Sequence, residues 1–121
     1  MRVIWIGIAG VIGALLRYGI GEIIPKVGGI FPVSTLLINW GGCFLLSWFS
    51  MWSVKHGFFT PTMRTAISTG FIGSFTTFST FSVELIQLIQ QHVWLMAILY
   101  FMLSALGGLF FAWCGWRIGE R

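Results

Sequence analysis

Charge is what this sequence has least of: only 8% of its 121 residues are charged, against 57% hydrophobic. A soluble domain carries about 25% charged residues, so a water-facing surface cannot be covered so thinly and a soluble globular protein is excluded. Aspartate is missing altogether, and the three acids are Glu22, Glu84 and Glu120. Most hydrolytic and phosphoryl-transfer sites use Asp as metal ligand, base or orienting group, so most of those enzyme classes go too. Neither His56 nor His92 adjoins a nucleophile motif, and no metal-ligand spacing occurs. We therefore expect no enzyme, and both His read as loop residues. The two cysteines, Cys43 and Cys114, lie inside apolar stretches, where a free thiol behaves as a small hydrophobe and says nothing of redox compartment. The formal charge of +4 comes mainly from Arg and Lys near helix ends, which reflects membrane topology and not a nucleic-acid partner.

What is present is apolar length. A crossing takes about 20 apolar residues, so the chain accommodates four transmembrane helices with short connections, as one four-helix domain over 1–121. The runs are continuous, without the period-two alternation of a membrane β-barrel, and the class is all-α. The spans are expected at 3–24, 33–54, 62–91 and 93–116. The first follows Arg2 but has no small-residue cleavage site after it, so it reads as a retained helix and not a signal peptide. In it Gly7, Gly10 and Gly13 recur every third residue, suited to close backbone packing. Pro25 to Pro32 is a loop by its Pro and Gly content. Thr60-Pro61 fits an N-cap with Pro at the first helical position.

Polar side chains are costly in a bilayer unless they face protein, water or a partner, so the few intramembrane ones are the functional candidates. Residues 74–82 read Ser-Phe-Thr-Thr-Phe-Ser-Thr-Phe-Ser, with Phe at every third position and hydroxyls between, directly after Gly70 and Gly73. Hydroxyls can satisfy backbone groups freed where a membrane helix is interrupted, which predicts a break between Gly73 and Thr77. Such irregular backbone lines a cavity or is buried in protein, and its freed carbonyls can coordinate a cation. An unbroken helix with back-bonded hydroxyls is the alternative. Asn39 lies one turn after Thr35, and its amide donors suit an anion or a neighbouring helix equally. Tyr100 and Ser104 are one turn apart on the fourth span, while Thr77, Thr80 and Glu84 share a face of the third. Glu84 is expected to accept from nearby hydroxyls or to pair with Arg17.

These residues together resemble the Fluc (CrcB-type) fluoride channels: Gly13-Ala14 and Arg17-Tyr18, then Thr35-Leu36 with Asn39 and Gly42, and above all Gly70-Phe71-Ile72-Gly73 leading into the run from Thr76 to Ser82. The resemblance covers most of the chain. It implies a multi-pass protein of the inner (plasma) membrane that exports fluoride passively. It also implies a homodimer of oppositely inserted subunits in the lipid bilayer, with two fluoride pathways built from both chains. Asn39 would then donate to the anion, and Phe78 and Phe81 would turn electropositive ring edges toward it. Thr77, Thr80, Tyr100 and Ser104 match the family's polar track. The carbonyls of Gly73 and Thr76 would bind a structural Na⁺ at the dimer interface, and Arg17 and Glu84 would serve structural or vestibule roles.

Arg2, Lys55, Arg64, Arg117 and Arg121 fall on the side shared by both termini, and Lys26 and Arg17 on the other. That count favours cytoplasmic termini, whereas oppositely inserted subunits need near balance. Two other function classes fit the sequence less well. A small dual-topology proton-coupled multidrug transporter needs a membrane-embedded carboxylate, and the first span has none before Glu22. A non-transporting subunit needs only pairing between helices, for which the hydroxyl-rich run is excessive. No ATP-binding motif occurs, in keeping with a passive pathway.

Overall fold

The computed structural model describes residues 2–26, 28–57 and 59–121. Four helices are long and apolar enough to cross a membrane: α1 (Arg2–Ile23), α2 (Val33–His56), a third span over Pro61–Gln90, and α6 (Trp94–Glu120). At 1.5 Å per residue, even the 22 residues of α1 exceed the ~30 Å hydrocarbon thickness. Val3, Leu95 and Leu109 are 80%, 71% and 70% exposed. In water such side chains would form an aggregating surface; in a bilayer they are solvated by lipid.

The third span is composite. Thr60 Oγ1 accepts from the Met63 N–H at 3.2 Å, and Pro61 fills the first turn of α3 (Pro61–Thr65), where its missing N–H costs nothing. A π-helical stretch follows over Ala66–Ile72, then one α-helical turn, α4 (Gly73–Phe75), and after the break α5 (Ser79–Gln90). The interruption falls at 76–78, slightly later than the glycines suggest. Gly73 keeps helical dihedrals (φ −62°, ψ −37°), and it is Thr76 that turns extended (φ −82°, ψ 161°). Glycine permits a helix to stop but does not compel it; the anchor at Thr77 described below sets the point. The π-helical stretch carries no signal in composition or spacing.

Two packing layers hold the break in place. The most extensive lies between α2 and α6, where Gly107 sits under the Trp40 indole, Gly115 on the Phe44 carbonyl and Gly119 on the Trp48 carbonyl, each with no room for a Cβ. Without a hydrophobic drive between helices in lipid, such close approach and interhelical hydrogen bonds carry association. Here Trp40 Nε1 donates to the Leu103 carbonyl at 2.9 Å and Ser47 Oγ to the Ala112 carbonyl at 2.7 Å. The second layer sets α1 against the π-helical stretch and α4. Gly13 lies on the Phe71 carbonyl and Gly70 on the Ile6 carbonyl, and a Cβ on Gly10 would stand 3.1 Å from Ser74 Oγ. Gly7 has nothing within 4 Å of where a Cβ would be, so the packing role expected of all three α1 glycines holds for two.

Candidate functional site

An interrupted helix releases N–H and C=O groups that must find other partners, and the residues around 76–78 show where they go. The Asn39 amide, midway along α2, bonds Thr77 twice: Nδ2 donates to the Thr77 carbonyl and Oδ1 accepts from the Thr77 N–H, both at 2.9 Å. Of the two roles open to Asn39 in the sequence, the helix-to-helix bond is therefore made, although to backbone. The Thr80 N–H donates to Thr77 Oγ1 at 3.1 Å, capping α5 as a hydroxyl caps any helix start. Arg17 Nε donates to the Ser74 carbonyl at 3.1 Å, the acceptor whose helical partner would have been the N–H of Phe78.

Gly73 and Thr76 fit the chemistry of a carbonyl cation site. In a continuous helix their carbonyls would accept from the N–H groups of Thr77 and Thr80, and those are committed to Asn39 Oδ1 and Thr77 Oγ1. The remaining contact is weak: Thr76 Oγ1 reaches the Gly73 carbonyl at 3.4 Å. Both residues line a cavity of about 450 Å³.

That cavity also takes Asn39, Thr77, Phe78, Phe81 and Ser104, and no charged residue among the described ones lines it. Phe78 is 78% exposed and its ring lies 6.0 Å from that of Phe81. Ser104 Oγ is buried with no hydrogen-bond partner among the described residues, and an orphan hydroxyl on a cavity wall is a donor available to a ligand. A second cavity, of about 420 Å³, is lined by Arg17, Thr35, Thr80 and Glu84 together with Glu22 and Lys26. Thr77 lines both cavities, so the broken segment stands between an uncharged chamber and a charged one.

Tyr100 is placed differently from a lining residue. It is fully buried, lines neither of these cavities, donates to Glu84 Oε1 at 3.2 Å and stacks obliquely on Phe81 at 5.1 Å. Glu84 thus accepts from a hydroxyl, and the alternative pairing with Arg17 is not among the ion pairs or hydrogen bonds of the described residues. The structure adds Thr35, Glu22 and Lys26 to the residues expected at the site; of these Thr35 carries a signal in the sequence, since it shares a helical face with Asn39. Glu22 lies in the last turn of α1 and Lys26 shortly after it, and both line the cavity.

The family model of the CrcB-like proteins (camphor resistance, CrcB) matches residues 4–116. The chain belongs to the CrcB family. Among curated relatives, it is 50% identical to "Fluoride-specific ion channel FluC 2" of Geobacillus kaustophilus, over 95% of this chain and 90% of that protein. It is 50% identical to "Fluoride-specific ion channel FluC 1" of Bacillus cereus over 97% and 86%. A more distant relative is "Fluoride-specific ion channel FluC" of Acidobacterium capsulatum, 39% identical over the whole chain and 98% of that protein. CrcB proteins are thus ion channels and not enzymes. With four membrane-length helices, this CrcB chain is a multi-pass protein of the plasma membrane.

Replacing Asn39 with Asp keeps an acceptor for the Thr77 N–H but sets a carboxylate oxygen against the Thr77 carbonyl. An unsatisfied buried acceptor costs about 1–3 kcal/mol, so Asn39→Asp should lower the thermal unfolding midpoint of the purified protein. An unchanged midpoint would show that this bond does not hold the break.

Proposed function

We propose that the chain is a fluoride-selective channel that lets F⁻ leave the cell down its gradient and so relieves fluoride toxicity. In acidic surroundings neutral HF crosses the membrane and dissociates inside, so a passive anion pathway suffices for export. The observation that carries the reading at this chain's own residues is the uncharged chamber itself. It combines the orphan Ser104 hydroxyl, the polar Asn39 and Thr77 and the aromatic pair Phe78 and Phe81. Hydroxyl and amide dipoles with electropositive ring edges can replace part of the hydration shell of a small hard anion, and a narrow, partly dehydrating path discriminates against chloride. The relatives' names as fluoride channels support the same assignment.

In this reading the working unit is a homodimer of oppositely inserted subunits, with two pathways, and Thr77 and Thr80 continue each pathway from the uncharged chamber toward Arg17 and Glu84. The exposure of Phe78, an aromatic ring on the chamber wall, supports a second copy as its cover. Tyr100 acts from behind, steadying Glu84 and the Phe81 ring. A Na⁺ at the dimer interface, held by the Gly73 and Thr76 carbonyls, would supply fixed positive charge beside a chamber that has none of its own. The proton-coupled carrier gains no support from the fold, from the Glu84 contact with Tyr100 or from the relatives.

Liposomes loaded with fluoride and carrying the purified protein should release it to a fluoride electrode. Phe81→Ile should slow release by about tenfold or more, equivalent to losing about 1.4 kcal/mol of favourable interaction; efflux no faster than from empty vesicles overturns the assignment. For topology, C-terminal reporters active on only one side of the membrane should both give signal. A signal from the cytoplasmic reporter alone would contradict opposite insertion.

A further inference from the structure

A third polar cavity, of about 350 Å³, lies between the end of α2 and the start of the third span, away from every residue assigned to the fluoride pathway. Arg64, Ser50, Ser53, Thr65 and Ser68 supply its polar wall. Arg64 is partly buried, and its guanidinium has no hydrogen-bond or ion-pair partner among the described residues. A guanidinium on a cavity wall with no such partner has its planar set of donors free for an external acceptor. The surroundings are donor-rich. Thr65 Oγ1 accepts from Arg2 at 3.3 Å, which brings a second guanidinium to the rim and leaves the Thr65 hydroxyl proton free to be given. Ser50 is exposed and its hydroxyl is free to donate, while Ser53 and Ser68 give their protons to the carbonyls of Ser50 and Arg64 at 3.4 and 2.7 Å. Among the described residues no carboxylate lines the cavity; Glu22 and Glu84 line the charged chamber instead.

We propose that this cavity binds a phosphate oxyanion, seated on the Arg64 guanidinium fork and the hydroxyls of Ser50 and Thr65. Planar guanidinium donors match a tetrahedral oxyanion in pairs of hydrogen bonds, which a monatomic anion cannot use. Two sources share this chemistry, the headgroup of an anionic phospholipid and free inorganic phosphate. Val54, which lines the cavity, and Met63, beside Arg64 in the chain, are 64% and 43% exposed, as side chains lying along an acyl chain would be.

Native mass spectrometry of the detergent-purified protein, titrated with phosphatidylglycerol, and phosphorus NMR line broadening of inorganic phosphate separate the two sources. In at least one of these, Arg64→Gln should weaken binding by about tenfold, with Thr65→Val, which keeps the side-chain shape, also weakening it. Loss of lipid adducts assigns the site to the headgroup, and loss of line broadening assigns it to free phosphate. Fluoride efflux from both variants should stay at the wild-type rate, which shows that they fold. Wild-type protein that binds neither probe, or binding unmoved by Thr65→Val and Arg64→Gln alike, overturns the proposal.

Discussion

Two 2.9 Å hydrogen bonds between the Asn39 amide and the backbone of Thr77 decide where the third span stops being a helix, and much else follows from that point. A break at membrane depth is tolerable only if its released groups are satisfied without bulk water. A primary amide is suited to this because it offers donor and acceptor side by side, as a neighbouring strand would. Once the Thr77 N–H is taken by Asn39, the Gly73 carbonyl loses its helical donor; once Thr77 Oγ1 caps α5, the Thr76 carbonyl loses its own. The same two substitutions that stabilise the break therefore create the pair of carbonyls assigned to Na⁺ in the proposed channel.

Rigidity around this point comes from helix contacts too close for any side chain larger than glycine. Gly115 and Gly119 seat α6 on α2, which carries Asn39, and Gly13 and Gly70 seat α1, which carries Arg17, on the third span. Arg17 then satisfies one more group released at the break by donating to the Ser74 carbonyl. Packing and polar satisfaction thus converge on a stretch of a few residues, and the charged chamber is separated from the uncharged one by the segment that contains Thr77.

The helical class, the number of spans and the existence of a break were legible because each rests on composition over long windows: apolar runs, scarce charge, and a hydroxyl-rich stretch after two glycines. Asn39 and Ser104 stood out as polar groups at membrane depth, whereas regularly spaced Phe reads by itself as core packing and only the resemblance to the fluoride channels marked Phe78 and Phe81. What escaped was set by tertiary contact. The π-helical stretch over Ala66–Ile72 leaves no periodic mark in so short a segment. The exact breakpoint depends on Asn39 across the helix interface and not on Gly73. Tyr100 read as a lining residue by its spacing from Ser104, yet one turn of separation does not fix depth, and its ring is enclosed between Glu84, Phe31 and Phe81.

The scarcity of charge is, on this account, part of how the channel works: an anion is handled by dipoles and ring edges, with no formal charge in the chamber wall to trap it. The most direct measurement is the reversal potential of the purified protein in a planar bilayer, with a tenfold fluoride gradient and equal chloride on both sides. A fluoride-selective pore reverses near the fluoride equilibrium potential, about 59 mV in magnitude for a monovalent ion. Reversal at the chloride equilibrium potential of zero would contradict it.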